Sequence, residues 1–304
     1  MGSRILLSDF AYLAPTTLAE ALQILAEKQA VKILAGGTDL LLRMKLGTIS
    51  HVDYVMDIKH IKELNYACLC DEKQCGSTAN GAFCIGPTAT LNQIAKNGDL
   101  SRLFPAQREA ILAMAATSVR NRGTMAGNIC NASPVADSAI PAICYGAALT
   151  LQSRRGKRIV ALEDFFRGPG ETELEKDEML VNIALPVPPA DSGAAFIKKS
   201  RVKPDIAKIS LGVFIERDGT LIKRCRIAMG SVAPLPLYVQ KISEGLAGLE
   251  MNEQLIAKTA QMVKAALKPI SDLRTNQEYR RAISSVLVEE GLRLAWRNAG
   301  GELK

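Results

Sequence analysis

The stretch VKILAGGTDLLLRMK, residues 31–45, consists of a short apolar segment, two adjacent glycines and a second apolar segment. Glycine adopts positive φ without strain and lets backbone N–H groups approach a ligand closely. Successive N–H groups in such a turn form a concave site for an anion. Thr38 and Asp39 add a hydroxyl and a carboxylate. The stretch predicts either a plain turn or an anion-binding loop, and it matches neither the G-x-G-x-x-G nor the Walker A pattern.

A second loop of similar chemistry, RNRGTMAGNICNASPVAD, covers residues 120–137. It combines Gly123 and Gly127 with hydroxyls, amides and the carboxylate of Asp137. By itself it is also typical of a polar surface loop stabilised by Asx turns. Two such loops, each beside an apolar segment, favour one extended ligand held between two subdomains. A dinucleotide has this shape.

Composition and charge restrict the possible classes of protein. The 304 residues are enough for about two domains. The net charge of +7 is spread along the chain, which favours a solvated basic surface, an acidic partner or an anionic cofactor over nucleic acid. With only two histidines, His51 and His60, we expect neither a His-rich metal site nor histidine acid–base chemistry.

The sequence also predicts where the protein is located. No stretch of about 18 apolar residues is present, so we expect no membrane span. The seven cysteines are an odd number, and the first residues lack the pattern of a signal peptide. These observations predict a protein of the reducing cytoplasm, without a disulfide framework.

Helical and strand spacings of the apolar residues alternate along the chain, which predicts an α+β fold. Thr17 and Glu20 form the capping-box pattern of a first helix. Short strands are expected near residues 54–58 and 82–86, and a further helix over residues 105–118.

The segment LPVPPADSGA, residues 185–194, is rich in proline and predicts a linker. Beyond it, residues 207–216 and 222–232 alternate like antiparallel strands. Two helices close the chain, one from Asn252 to Lys268 and one that begins at Thr275.

The two glycine-containing loops together resemble those of a known family, the FAD-binding subunits of the molybdenum hydroxylases. This family includes xanthine, carbon monoxide and nicotinate dehydrogenases. KILAGGTDL, residues 32–40, is similar to the first flavin motif, and VRNRGTMAGNICNASPVADS, residues 119–138, to the second.

Three further segments extend the resemblance nearly from end to end. FFRGPGETELEKDEMLVNIALP, residues 165–186, resembles the end of the flavin domain. AFIKKSRV, residues 195–202, resembles the start of the C-terminal domain, and AMGSVAPLPL, residues 228–237, a turn within it. The GPGETEL part favours the bacterial xanthine dehydrogenase type.

The resemblance implies a domain organisation. We expect a two-subdomain FAD-binding domain of the PCMH, or vanillyl-alcohol-oxidase, type over residues 1–188. Its subdomains would cover about residues 1–60 and 61–188. A smaller α+β C-terminal domain with an antiparallel sheet and helices would follow over residues 193–300.

The resemblance also implies which residues bind FAD. The first motif, whose backbone amides would bind the pyrophosphate, comprises Lys32, Ile33, Leu34, Ala35, Gly36, Gly37, Thr38, Asp39 and Leu40. The second contributes Thr124, Ala126, Gly127, Asn128 and Asp137. The C-terminal part of the site would comprise Met179 or Leu180 as an apolar flavin neighbour, and Lys198, or Lys199 in the other register, as a lysine near the flavin. Because Ala126 stands where the family usually has glycine, we expect the loop to run slightly differently there.

The function implied is electron transfer rather than acid–base catalysis, so we expect no catalytic residue in this chain. A molybdopterin-binding large subunit would hydroxylate a heterocycle, with a purine favoured. A small subunit with two two-iron clusters would pass the electrons to FAD, and NAD or another acceptor would remove them. The expected assembly is a dimer of heterotrimers. The alternatives are a self-contained FAD-dependent oxidase or reductase of the same fold, the flavin subunit of a 4-hydroxybenzoyl-CoA reductase-like enzyme with an extra iron–sulfur cluster, and a flavin-free scaffold or basic binding module.

Four of the seven cysteines, Cys68, Cys70, Cys75 and Cys84, lie within 17 residues in a predicted hairpin. Their spacing matches no zinc-ribbon or ferredoxin template. One hypothesis is an iron–sulfur cluster or zinc site, and the other is that Cys84 packs in a strand beside incidental thiols. The 4-hydroxybenzoyl-CoA reductase branch of the family carries an extra four-iron cluster in this subunit, but its cysteines cannot be matched to these positions.

Overall fold

A computed structural model describes residues 9–49, 51–70 and 81–303 of the chain. Within these residues, no helix is long and apolar enough to cross a membrane. The strands form three larger sheets and one short two-stranded sheet.

The first sheet has three parallel strands in the order β1-β3-β2. Its elements are β1 (Ala11–Leu13), α1 (Leu18–Glu27), β2 (Val31–Leu34), α2 (Leu40–Lys45) and β3 (Tyr54–Asp57). The predicted cap of α1 is confirmed, because the Thr17 hydroxyl oxygen accepts a hydrogen bond from the Glu20 N–H at 3.2 Å. Leu22 and Leu25 on the inner side of α1 pack in one cluster with Met56 of β3. Two 3₁₀ turns follow, Ile58–His60 and Lys62–Leu64.

The second sheet has five antiparallel strands in the order β4-β5-β10-β6-β7. These are β4 (Ala67–Cys70), β5 (Ala82–Ile85), β6 (Ala148–Ser153), β7 (Gly156–Ala161) and β10 (Met179–Pro186). Two short strands, β8 (Phe166–Gly168) and β9 (Glu171–Thr172), follow the 3₁₀ turn Leu162–Asp164 and pair only with each other among the described strands. Strand β10 is buried along nearly all of its length, since it lies between β5 and β6 at the centre of the sheet.

Six helices lie between β5 and β6 in the described part of the chain, and the apolar sides of all but Thr117–Arg120 share one core with the second sheet. They are α3 (Leu91–Lys96), α4 (Gly98–Leu103), α5 (Pro105–Leu112), α6 (Thr117–Arg120), α7 (Met125–Cys130) and α8 (Ala139–Tyr145). The single helix expected over residues 105–118 is wrong. Helix α5 ends at Leu112, and the backbone of Ala115 has a positive φ of 44°, which is incompatible with a continuing helix.

The third sheet is antiparallel in the order β11-β12-β13-β14 and belongs to the C-terminal part of the chain. Its strands are β11 (Ser192–Lys199), β12 (Ile209–Asp218), β13 (Leu221–Gly230) and β14 (Leu237–Tyr238), and the helices are α9 (Gln240–Glu244), α10 (Glu253–Ala266) and α11 (Gln277–Asn298). Trp296 and Leu292 of α11 pack in one core with Leu211 of β12. The last helix begins later than expected, because Asn276 rather than Thr275 caps it.

Candidate cofactor site

The two glycine-containing loops, residues 35–39 (the first loop) and 120–137 (the second loop), touch each other through their backbones. A Cβ atom added to Gly36 would lie 2.3 Å from the Arg122 carbonyl oxygen and 2.8 Å from the Gly123 Cα. Gly37 has a φ of +75°, which favours glycine. Only glycine therefore allows the first loop to keep this conformation against the second.

The first loop connects β2 to α2 and thus lies at the carboxyl end of a strand of the parallel sheet. Lys32, Ile33 and Leu34 lie in β2, and Leu40 begins α2. The Asp39 side chain is exposed and makes no capping hydrogen bond to the helix. Its carboxylate lies 4.0 Å from the Arg43 guanidinium and is half-exposed, so a ligand hydroxyl could reach it.

The second loop contains the start of α7. The Thr124 hydroxyl oxygen caps this helix by accepting a hydrogen bond from the Gly127 N–H at 3.0 Å. The Asn128 side-chain oxygen accepts a hydrogen bond from the Ser138 hydroxyl at 2.6 Å. Ala126 is buried in the first turn of α7, where alanine has no conformational cost. Because the backbone there is helical, the alanine gives no reason for the slightly different loop conformation that we expected.

A buried ion pair joins the second loop to the C-terminal sheet. The Lys198 ammonium of β11 lies 2.9 Å from an Asp137 carboxylate oxygen, and each side chain is only 6% exposed. The ammonium also donates a hydrogen bond to the Ala113 carbonyl oxygen at 2.8 Å. The neighbouring Lys199 points the other way and lies 3.8 Å from Glu290, with its side chain 43% exposed.

Asp137 retains unused capacity for hydrogen bonding. Its second oxygen, Oδ1, is buried and accepts no hydrogen bond from the described residues. Burial raises the pKa of Asp137, although the nearby Lys198 ammonium and, to a smaller extent, the Ser210 hydroxyl act in the opposite direction. A buried acceptor without a donor is costly. A ligand with a hydroxyl or N–H group at this point would supply the missing donor.

Apolar side chains of β10 pack with both loops. Met179 is buried in the cluster that includes Ala35 of the first loop. Leu180 is buried in the cluster that includes Ala126 of the second. The start of β10 therefore connects the two halves of the site.

Two supporting features had no sequence prediction. The Arg120 guanidinium donates hydrogen bonds to the carbonyl oxygens of Met114 and Ala115 at 2.7 and 2.6 Å, and so holds the turn that carries the Ala113 carbonyl. The Ser231 N–H at the end of β13 donates to the Pro134 carbonyl oxygen of the second loop at 2.9 Å. The sequence shows a basic residue, Arg120, at the start of the second loop, but it cannot show that the partners of this residue are backbone carbonyl oxygens.

A cleft of about 620 Å³ lies between α5, β11 and α11. Its lining combines the cationic residues Arg108, Lys198 and Lys203 with apolar side chains such as Phe196. Burial raises the pKa of Glu109 in this lining, while Lys203 acts in the opposite direction. The cleft is thus large enough for a small molecule, and its charged lining consists of these three cationic side chains and the carboxylates of Glu109 and Glu290.

The cysteine hairpin is described only in part. Cys68 of β4 is opposite Cys84 of β5, and the Cys68 and Cys70 sulfur atoms lie 3.6 Å apart. Cys75 lies outside the described residues. Among the residues that are described, no group of three or more His, Cys, Asp or Glu side chains is arranged to hold a metal ion. Cys70 is disulfide-bonded, so in this structure its sulfur is not a thiolate that could ligate a metal, and the metal hypothesis stays a prediction for the other three cysteines.

These features fit FAD. Two loops with close backbone contact suit a pyrophosphate, the exposed and buried carboxylates suit hydroxyl and N–H groups, and the buried apolar side chains suit a flat ring. The fold and the chemistry of the two loops thus point to the class of FAD-binding proteins.

The comparisons with known proteins agree with this class, and the chain belongs to the family of FAD-binding subunits of molybdenum hydroxylases. The family described as "FAD binding domain in molybdopterin dehydrogenase" matches residues 8–188. The family described as "CO dehydrogenase flavoprotein C-terminal domain" matches residues 194–295. The chain is therefore an FAD-containing oxidoreductase subunit, as the resemblance had predicted.

Individual relatives cover almost the whole chain. The xanthine dehydrogenase FAD-binding subunit of Escherichia coli O157:H7 is 32% identical over 302 residues, 97% of this chain and 99% of the relative. The carbon monoxide dehydrogenase medium chain of Hydrogenophaga pseudoflava is 30% identical over 94% of this chain and 97% of its own length. A solved structure of carbon monoxide dehydrogenase from the latter organism, which lacks the Mo-pyranopterin moiety of its molybdenum cofactor, superposes with a TM-score of 0.88 at 29% identity. It covers 96% of this chain and 98% of that one.

Proposed function

We propose that this chain is the electron-transfer subunit of a three-subunit enzyme of the xanthine dehydrogenase type. It would receive electrons from an iron–sulfur small subunit that is served by a molybdopterin-binding large subunit. NAD or another acceptor would then remove them. The observation that carries the proposal is the direct contact of the two glycine-containing loops beside the buried Lys198–Asp137 pair. The names of the relatives as medium chains or FAD-binding subunits support the partner classes.

The roles that we assign to the residues follow from their chemistry. The N–H groups of residues 35–39 bind the pyrophosphate, with Lys32, Ile33, Leu34 and Leu40 fixing the loop between β2 and α2. Thr124, Ala126, Gly127 and Asn128 form the opposite wall, and Met179 and Leu180 form its apolar floor. Bound FAD supplies the redox chemistry.

Lys198 and Asp137 have a different role in this proposal. The Lys198 ammonium is held between Asp137 and the Ala113 carbonyl, so it keeps a fixed positive charge at the cofactor. Asp137 Oδ1 accepts a hydrogen bond from the cofactor, which removes the cost of a buried unpaired acceptor. These groups position and tune the cofactor and carry out no bond-breaking step.

The acceptor side of the proposal rests on the cleft next to Lys198. Arg108 and Lys203 in its lining suit an anionic acceptor such as a nicotinamide nucleotide, although Glu109 and Glu290 also line it, and its volume lies in the range of small-molecule sites. A cytoplasmic location and a dimer of heterotrimers complete the proposal.

Native purification of the tagged chain from its own cells tests these points together. Mass spectrometry should identify two companion subunits, and the visible spectrum should show bound flavin. Reduction of the flavin by a small substrate in the purified chain alone would refute the proposal in favour of a self-contained oxidase or reductase. Failure to bind added FAD would favour a flavin-free scaffold. An iron and zinc assay of the isolated chain separately tests the prediction for Cys68, Cys75 and Cys84.

A further inference from the structure

The side chain of Arg43, in helix α2, contacts both glycine-containing loops. Its Nη1 donates a hydrogen bond to the side-chain oxygen of Asn131 in the second loop at 3.3 Å. The same nitrogen lies 4.0 Å from a carboxylate oxygen of Asp39 in the first loop. Together with the backbone contact of Gly36 against Gly123, this side chain borders the space between the two loops.

The side of α7 that Arg43 contacts is also the side that we assign to the cofactor. Asn131 follows Gly127 and Asn128 by four and three positions, so these residues lie on one side of the helix. None of the three is buried, whereas the other side of α7 is, with Met125, Ala126 and Ile129. Arg43 therefore reaches the wall that Gly127 and Asn128 contribute to the proposed site.

The guanidinium of Arg43 retains most of its capacity to bind an anion. Both of its contacts use Nη1, and both are longer than the usual charge-assisted hydrogen bond of about 2.7–2.9 Å. The side chain is 44% exposed. An arginine presents five N–H donors in a planar fork that matches the oxygens of a phosphate. The donors of Nε and Nη2 are thus available to a ligand that enters between the loops.

The charges of the site favour a cation at this point. The pyrophosphate is the negatively charged group of FAD at neutral pH. Asp39 lies in the loop that we assign to this group, so its carboxylate repels the pyrophosphate. A guanidinium 4.0 Å from the carboxylate reduces this repulsion and adds an attraction of its own.

Two other cations beside the loops have partners of their own. Lys198 pairs with Asp137. Arg120 donates hydrogen bonds to two carbonyl oxygens of the turn that precedes the second loop. Among the cations that the structure describes, Arg43 is the one whose side chain contacts both loops.

We propose that Arg43 is a further binding residue of the cofactor site and that its guanidinium binds the pyrophosphate of FAD. It reduces the repulsion from Asp39 and, through Asn131, holds the second loop close to the first. This inference rests on the proposed function and adds a charged residue that lies outside both flavin motifs.

The test is a fluorescence titration of the flavin-free, full-length chain with FAD at about 0.05 M and about 1 M salt, since the higher concentration screens exposed charges. In Arg43→Met, the dissociation constant should rise about tenfold at the lower concentration, because a charged hydrogen-bond donor is lost. The difference from the wild type should shrink at the higher concentration. Arg43→Lys keeps the charge and should lose less affinity than Arg43→Met. The free energy of unfolding of both flavin-free variants should equal that of the wild type, because the two contacts of Arg43 are exposed.

Lys45→Met is the matched control. Lys45 lies on the same helix and is exposed, but it is rotated about 160° away from Arg43. The control therefore removes the same charge from the same helix on the other side. Its FAD affinity should be that of the wild type at both salt concentrations.

The outcomes separate this inference from the proposed function. If Arg43→Met binds FAD as tightly as the wild type at low salt, or if Lys45→Met loses as much affinity, Arg43 does not bind the pyrophosphate. An equal loss at both salt concentrations, or a loss in Arg43→Lys as large as in Arg43→Met, would also overturn the inference, because the charge of Arg43 would then not be what the cofactor requires. If the wild-type chain binds no FAD, the proposed function fails and the inference fails with it.

Discussion

Gly36 allows the closest contact between the two loops, and replacing it with alanine gives the sharpest test of the cofactor site. The new Cβ would lie 2.3 Å from the Arg122 carbonyl oxygen, whereas ordinary contacts begin near 3.4 Å. The loops would therefore have to separate by about 1 Å, and overpacking of this kind costs about 1–3 kcal/mol. If the cofactor requires the close contact, FAD affinity should fall by about 5- to 150-fold.

The assay measures two quantities for Gly36→Ala. Titration of the flavin-free chain with FAD, followed by fluorescence, gives the dissociation constant, and urea unfolding gives the free energy of unfolding. Strain that the free chain cannot relieve appears as lost stability, and strain that it relieves by opening the loops appears as lost affinity. Gly98→Ala is the matched control, because a Cβ at the first residue of α4 has no neighbour within 4 Å.

The total cost of Gly36→Ala is the lost free energy of unfolding plus the lost free energy of FAD binding. If Gly36→Ala has the stability and the FAD affinity of the wild type, the contact between the loops is not what Gly36 is needed for. The assignment of the loops as the pyrophosphate site would then lose its main structural support.

Two other perturbations have expected results. Lys198→Met leaves the buried Asp137 without its ammonium partner and should lower the free energy of unfolding of the flavin-free chain, measured in urea, by about 3–5 kcal/mol. The control Lys199→Met, at the exposed neighbour, should lower it by less than about 1 kcal/mol. Similar losses in both variants would contradict the assignment of Lys198 as the partner of Asp137. The two hydrogen bonds from Arg158 to Glu178 hold the pKa of this carboxyl below its usual 4.5, so its contribution to stability is present above that pH and is lost as the pH falls through the lower folded-state pKa. Glu178→Gln should therefore be less stable at neutral pH and should lose less stability on acidification, and an unchanged pH profile of unfolding would contradict this.

The elements that follow from local pattern were predicted well. The turn at Gly36 and Gly37 and the cap of α1 depend on neighbours in the chain, so a sequence pattern contains them, whereas the helix that follows the glycines was not predicted. The break after α5 was missed because alanine is the best helix former. What ends the helix is the positive φ of Ala115 in a turn held by Arg120, and propensity cannot indicate such a contact.

The site was predictable in its residue types but not in its contacts. The sequence left Lys198 and Lys199 as alternatives, because adjacent residues of a strand point to opposite faces and only the position of β11 decides which face meets Asp137. The role of Gly36 as a contact with Gly123 depends on the packing of two subdomains. Side chains that occur in motifs can thus be recognised, whereas backbone partners such as the Ala113 carbonyl cannot.

The ion pair between Lys198 and Asp137, together with the hydrogen bond from Ser231 to Pro134, has a consequence for how such chains can evolve. Both contacts connect the C-terminal sheet to the second loop across residues 187–191. A fragment that ends at residue 188 would keep both glycine-containing loops and lose the ammonium. Recombination between relatives at this boundary must therefore preserve the lysine and the carboxylate as a matched pair, and the two regions are inherited as one unit rather than as exchangeable modules.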